Sequence, residues 1–467
     1  MKHFIMLLCG VVLPFFASAQ EFAFQGLKFK VTDATKKTCQ LAGFEAGEIA
    51  ALSIPSVATN GGVDYTVTSI ADQAFFYSGI RSLTIPNTVL SIGEFAFCWC
   101  TSLSEVNFGE SVETIGENAF NTCSSLKTIS LPNSLKKLGE GVFSACKLLT
   151  TVSLPASVVE IGINIFGESP NLSEINVAEG NTVYASADGV LFKADFSELI
   201  QYPCGNARTE YTVPEGVKTI DAFAIGNCAN LKKLTLASTV KTLEEGAVYT
   251  CETLESLTLN EGLEKIGNYA FASATSLESV VIPSTVVTVA EGAFMSAENL
   301  SNITIGAGVE TIGKFAFYGC APEEIVLPAK LKSIDMYAFD IPTLATLKVK
   351  NLVPPVCTSG AFSTSVQQKA HLTVPEGSLE AYKAAAVWKD FANIAEGDVS
   401  GINGVIAADT VVSVNDGDIC ISGPADKVEV YNAAGACVYN GTASRISGLP
   451  HGIYMVCVGG STVKVAL

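Results

Sequence analysis

Histidine is nearly absent: three copies in 467 residues, and His3 sits in the first few residues of the chain. A Ser-His-Asp or Cys-His centre needs an imidazole beside its nucleophile. His371 lies just ahead of Pro375 and His451 lies in a separate C-terminal segment, so neither suits that role. Two distant histidines also provide no metal-ligand spacing. Asn415-Asp416-Gly417-Asp418 has the start of a calcium loop but lacks the later ligands and the bidentate glutamate, and reads as a turn. Phosphate-cradling glycine motifs are missing. Charge is sparse, at 16% of residues, and one-sided: 28 Lys+Arg against 46 Asp+Glu give a formal net charge of −18. Such a surface repels phosphate backbones and anionic lipid, so no nucleic-acid partner is expected. After the first twenty residues no apolar run approaches the roughly 20 residues of a membrane span. Acidic pairs such as Glu244-Glu245 and Glu323-Glu324 occupy different repeat positions, which suits a solvated outer face better than a glycosidase pair. The chain is therefore expected to be no enzyme and to carry no cofactor or metal.

What the chain has is apolar residues, 48% of it, with 40 glycines and 25 phenylalanines set at intervals. Residues 1–19 combine Lys2, an apolar run from Phe4 to Phe16 and Ala17-Ser18-Ala19, the pattern of a secretory signal peptide cut before Gln20. Cleavage would leave an exported chain, secreted or held on the cell surface.

From Ile80 onward the sequence repeats. Leu103, Leu126, Leu149 and Leu172 open successive copies at a step of 23 residues. A period of this size marks a solenoid. With the opening leucine as position 1, positions 4 and 6 are apolar (Val106 and Phe108, Val152 and Leu154), and position 7 is often proline (Pro132, Pro155, Pro283). Positions 13–14 read Ile-Gly (Ile115-Gly116, Ile266-Gly267) and 17–18 read Ala-Phe (Ala119-Phe120, Ala293-Phe294). The pattern predicts a short strand with positions 4 and 6 turned inward, a proline ending its pairing, a glycine bend, and one helical turn presenting Ala-Phe to the core. Parallel stacking of about a dozen such rungs gives a rod or gentle arc on the order of 60 Å long. Cys100, Cys123, Cys146, Cys228, Cys251 and Cys320 share position 21 with Ser169, Ala274 and Ala297. Exchange with serine and alanine points to small buried thiols, not to ligands or a redox pair.

The fold class expected is thus a leucine-rich repeat solenoid with a parallel β-sheet and short helical turns, followed by a small all-β sandwich. Residues 20–70 are read as an N-terminal cap, with Phe24–Val31 as an edge strand, and 71–395 as the solenoid. Between Leu172 and Leu231 lie 59 residues, more than two periods, and the surplus at 181–211 reads as a β-hairpin insertion. Insertions of this kind carry function or simply cover the core. A C-terminal cap is expected near 372–395, a linker at 396–408 and the sandwich at 409–467.

The unit L-x-x-(I/V)-x-(I/L)-P…I-G-x-x-A-F-x-x-C resembles the treponemal class of leucine-rich repeat found in BspA-like surface proteins of Bacteroidetes. Val428-Glu429-Val430-Tyr431-Asn432 and Leu449-Pro450-His451-Gly452-Ile453-Tyr454 are similar to the sorting domain of type IX secretion cargo. The resemblance implies an exported cell-surface protein engaged in adhesion, binding host matrix proteins or other bacteria, with glycan capture as the alternative. Within each rung only position 5, outward between two buried residues, is free of a packing role. That column reads Thr84, Asn107, Ser130, Ser153, Asn176, Thr235, Thr258, Val281, Thr304, Val326 and Lys348. Its small polar residues offer a shallow surface to a long partner; equally, they are residues that simply suit a strand. The column has no aromatic platform of the kind a glycan site favours.

Overall fold

The computed structural model describes residues 20–397 other than 46 and 48, residue 399, and tail residues 404–407, 410–415, 418–422, 427–432, 437–450, 452–458 and 461–466. The leader and His451 lie outside the described residues. The chain forms a β-solenoid of about 14 turns with a period near 23 residues.

Each rung is built from three stretches, and two differ from expectation. The strand at positions 3–5 is present, as in Glu105–Asn107 and Ser256–Thr258. The Ile-Gly segment is not a bend but a second strand: Thr114–Ile115 pairs in parallel with Ser91–Ile92 and Lys137–Leu138. This second face is the more continuous one, a nine-stranded sheet that ends at Glu160–Ile161 and then a ten-stranded sheet from Tyr184–Ala187 to Val356–Cys357. The glycine after it has an ordinary φ and is required for closeness. A Cβ on Gly139 would stand 2.4 Å from the Glu117 nitrogen, on Gly162 2.4 Å from the Glu140 nitrogen. Its own N–H meanwhile donates to the preceding rung, Gly139 to Ile115 O at 2.8 Å.

The Ala-Phe segment is not helical either. Positions 16 and 20 adopt left-handed backbone, as at Asn118 (φ 52) and Thr122 (φ 59), which breaks any helix into consecutive turns. The gain is a third ladder between rungs: Phe95, Phe97 and Trp99 donate to Glu117, Ala119 and Asn121 carbonyls at 2.8–2.9 Å. Alternate residues bond to the next rung while the others close turns within their own. Side chains add to this, with Ser134, Ser157 and Thr285 each donating to a carbonyl of the rung before at 2.6–2.7 Å. These bonds satisfy backbone groups that a non-helical turn leaves open.

Position 18 fills the interior. Phe75, Phe97, Phe120, Phe143 and Phe166 stack with centroids 5.2–5.9 Å apart, and the ladder resumes from Phe271 through Phe362. A further inward column, at position 10 (Val112, Leu135, Val158, Val240, Leu263), completes the packing. At position 21 Cys123 Sγ donates to Phe97 O at 3.3 Å and Cys320 Sγ to Phe294 O at 3.2 Å. Ser169 Oγ makes the same bond to Phe143 O at 3.3 Å, which accounts for the serine exchange. Burial pushes the Cys146 and Cys320 thiols up to about 12, so they stay protonated donors.

The ends and the middle are closed differently. Residues read as one edge strand form a hairpin: Glu21–Phe24 turns through Gln25-Gly26 into Leu27–Asp33, which pairs with Thr38–Phe44. Phe22 stacks on Phe29 over the first rung. At the far end the helix Leu379–Ala384 and the 3-10 turn Trp388–Asp390 bury Tyr382 and Trp388, whose side chains donate to Asn351 O and Pro355 O at 2.9 and 2.8 Å. In the middle, residues 184–201 form a three-stranded antiparallel meander whose last strand, Glu198–Gln201, joins the second sheet of the C-terminal half. Alternation along these strands splits their side chains. Leu191 and Ile200 enter the N-terminal core, while Val190, Phe192 and Leu199 enter the C-terminal one. The tail forms two four-stranded sheets enclosing a core that includes Val412, Ile421, Val430 and Val456.

Acidic residues replace the close-approach glycine on the first two rungs after the meander, at Asp221 and Glu244, and again at Asp335. Burial raises the Asp221 carboxyl above its ordinary range by more than the Ala222 N–H bond lowers it, and Glu244 adds a smaller repulsion. Glu198 is raised for the same reasons, burial first and then Asp221. The folded chain therefore holds these protons more tightly than the unfolded chain. Stability is lost as pH rises from the ordinary carboxylate value through the raised one, and the penalty is complete above it. Asp221→Asn, which keeps an acceptor for Ala222 N–H, is expected to melt higher than the parent at about pH 7 and alike at about pH 4. Equal midpoints at neutral pH would show that the carboxylate carries no penalty.

Candidate functional site

The position-5 residues are placed on one outward line by backbone pairing. Register matches Ser53 with Thr84, Thr84 with Asn107, Ser153 with Asn176, Thr212 with Thr235, Thr235 with Thr258, and Val281 with Thr304. Thr84, Asn107, Ser130, Ser153, Asn176, Thr258 and Thr304 are exposed, and Thr235 is half-buried. Ser53 and Thr212 belong to the line as well, legible only once the degenerate first rung and the rung after the meander are aligned.

The line is less regular than a continuous sheet. Ser130 lies in no strand, and its rung meets the next through the single bridge Thr128–Thr151. The strands of this face fall into five short sheets, interrupted at that rung, at the meander and after Thr258 and Thr304. Leu131, at position 6, is only half-buried, so the rung is held less firmly there.

Beside the line the charged side chains pair with one another across rungs. Lys233 meets Glu210 at 3.5 Å, Lys232 meets Glu255 at 2.8 Å and Lys348 meets Glu324 at 2.7 Å. Glu244 and Glu324, of the two acidic pairs, are thus ion-paired, Glu244 with Lys265 at 2.6 Å. Exposed pairs of this kind contribute little stability each, but around Thr212–Thr258 they balance the charges beside the uncharged strip. Asn107 Nδ2 donates to Glu105 Oε1 at 3.1 Å. His371 is exposed on the strand His371–Val374. Asp418, from the calcium-like turn, accepts from Arg445 Nε at 2.7 Å. Among the described residues no group of three or more His, Cys, Asp or Glu side chains could hold a metal ion, and no helix is long and apolar enough to cross a membrane.

Two exposed features escaped the sequence reading. The second sheet has its own outward column at position 12, with Thr219, Thr242, Lys265, Thr288 and Thr311, of which Thr219, Thr242 and Thr311 are half-buried. The turn edge carries exposed aromatics near the N-terminal end: Phe76 (48% exposed), Tyr77 (74%) and Trp99 (47%). The signal for the latter was present, because position 20 is otherwise Thr122, Ala145, Glu168, Asn227 or Ser273.

Stacked 23-residue rungs with inward leucine columns and an outward polar strand line define a leucine-rich repeat scaffold. The chain belongs to the BspA type leucine-rich repeat family, which matches it in six copies over residues 68–187, 202–295 and 264–381. Its fold is similar to that of the pneumococcal vaccine antigen PcpA, with 22% identity over 81% of this chain and 99% of that one and a TM-score of 0.60. A leucine-rich repeat protein from Eubacterium ventriosum is similar at 25% identity, covering 72% of this chain and 92% of that one with a TM-score of 0.58. No curated protein matches the chain.

Proposed function

We propose that this is an exported, non-enzymatic surface protein that binds other proteins through the position-5 line, in the manner of an adhesin. The observation that carries the reading is the uncharged strip from Thr84 to Thr304, aligned by register within each short sheet and flanked around Thr212–Thr258 by charges paired with each other. Such a strip has no strong ligand of its own and suits many weak contacts along an extended partner. The secretory-type leader supports export, and the tail's likeness to a sorting domain supports delivery to the cell surface. The low histidine content supports a role without catalysis.

The test uses the full chain and immobilised fibronectin and fibrinogen, the matrix and plasma proteins that the family resemblance suggests. Replacing Thr84, Asn107 and Ser130 together by arginine is expected to weaken binding at least tenfold, about 1.4 kcal/mol, while leaving the thermal midpoint near that of the parent. Binding that survives the triple substitution unchanged sinks this assignment of the surface.

A further inference from the structure

The aromatics of the turn edge divide into two kinds. In the C-terminal half, position 16 alternates between an aromatic and a glycine: Phe223, Gly246, Tyr269, Gly292, Phe315. There the ring occupies space that the glycine vacates. A Cβ on Gly246 would meet Phe223 Cε1 at 2.5 Å, and one on Gly292 would meet Tyr269 Cδ1 at 2.4 Å. Phe223, Tyr269 and Phe315 are half-buried packing, and the more exposed Tyr318 and Tyr337 both rest on Phe315, at 5.5 and 5.2 Å. Tyr77 and Trp99 have no such reason to be there. Both occupy position 20 on consecutive rungs, in left-handed backbone (φ 58 and 61) that disfavours bulky side chains. Among the described residues neither ring meets another aromatic ring. Their backbones are nevertheless fixed, Tyr77 N–H donating to Cys98 O at 2.8 Å and Trp99 N–H to Asn121 O at 2.9 Å.

The next rung places a bonded chain of polar side chains directly alongside. Asn118 Nδ2 donates to Glu117 Oε1 at 3.1 Å, Asn121 Nδ2 to Asn118 Oδ1 at 2.9 Å, and Thr122 Oγ1 to Asn121 Oδ1 at 2.6 Å. Gly141 on the following rung leaves the Asn118 amide its room, since a Cβ there would stand 2.4 Å from Asn118 Oδ1. The patch is thus two exposed aromatic rings on fixed backbone one rung apart, followed by a hydrogen-bonded row of amide, carboxylate and hydroxyl groups.

We propose that this edge binds a neutral oligosaccharide, with the C–H face of one pyranose on Trp99 and Tyr77 and its neighbour's hydroxyls on Glu117, Asn118 and Thr122. Exposed Trp and Tyr present large rigid contact area with a polar rim, and a sugar ring has the matching apolar face and hydroxyl edge. Charge argues against the other occupants. Residues 72–79, 94–101 and 117–124 contain no lysine or arginine, so the edge does not draw in phosphate, sulfated glycans or anionic lipid. The site lies on the turn edge, away from the position-5 line, and stands or falls independently of the protein-binding assignment.

Trp99 supplies its own reporter. The only other tryptophan, Trp388, is fully buried under the C-terminal cap. The full chain is titrated with cellohexaose, chitohexaose, mannohexaose and xylohexaose, following tryptophan emission and its protection from acrylamide. A saturable change with at least one of them, at micromolar to millimolar affinity, is expected. Tyr77→Ala is expected to weaken it about three- to tenfold with an unchanged thermal midpoint, and Trp99→Phe, read by calorimetry, to retain it. No saturable response from any of the four, or an unchanged affinity in Tyr77→Ala, overturns the proposal. So does a response of Trp99 to a matrix protein in the absence of any response to sugars.

Discussion

Phe120→Ala is expected to destabilise the solenoid by about 3–5 kcal/mol. The ring is fully buried, stacks between Phe97 at 5.2 Å and Phe143 at 5.6 Å, and takes the edge of Phe108 at 5.7 Å. The neighbours are held by the second-sheet ladder and the turn ladder, Phe120 N–H donating to Val142 O at 3.0 Å, so they resist collapse into the space; the cavity term is therefore near its full value. Phe120→Leu keeps most of the volume and should cost much less. Ile225 and Val248 occupy the same repeat position where the ring ladder lapses, so the rung tolerates an aliphatic plug. Urea unfolding followed by circular dichroism measures both variants. A loss below about 1 kcal/mol for the alanine variant would mean that hydrogen-bond ladders, not the ring column, hold the rungs together.

Gly139→Ala is the second large effect, of about 3 kcal/mol or more, from adding one methyl group. The three atoms nearest the new Cβ are all backbone: Glu117 nitrogen and Cα at 2.4 and 2.7 Å and the Gly116 carbonyl carbon at 2.7 Å. No rotamer relieves such a contact. The two rungs must separate, and the bond from Gly139 N–H to Ile115 O at 2.8 Å is the first to go. The control is Gly180→Ala, where the same added atom meets nothing within 4 Å and the φ of 88° supplies the only strain. Its cost is expected to be about 1 kcal/mol. If the two variants melt together, close rung approach is not what the glycine serves.

These two sites also show what a single sequence makes legible. The Ala-Phe pair and the leucine columns announce themselves because a buried position tolerates few residue types, and the 23-residue period repeats them many times. Position 5 is legible by subtraction, lying between two such columns. The second sheet was hidden because its strands are two residues long, too short for alternation to register; Ile-Gly then reads as a bend. The left-handed positions were hidden because no glycine marks most of them: Phe95, Trp99, Thr122 and Tyr269 all carry positive φ. Their conformation is imposed by bonds to the next rung, a non-local cause that local propensity cannot reveal. Tyr77 and Trp99 were visible as residues but not as a site, since their exposure follows from the turn and not from any periodicity.

The meander at residues 184–201 has a consequence for how such a chain fails. Rungs of an uninterrupted array lean only on their neighbours, so a loss at one end passes along as each newly bared rung frays in turn. Here the fraying front meets a three-stranded wall that packs apolar side chains into both cores. Leu191 and Ile200 keep the N-terminal core covered when the C-terminal rungs are gone, and Val190, Phe192 and Leu199 do the same for the other half. Under traction, proteolysis or heat the molecule is expected to behave like a hull with a bulkhead, with damage in one compartment slowed before it reaches the other.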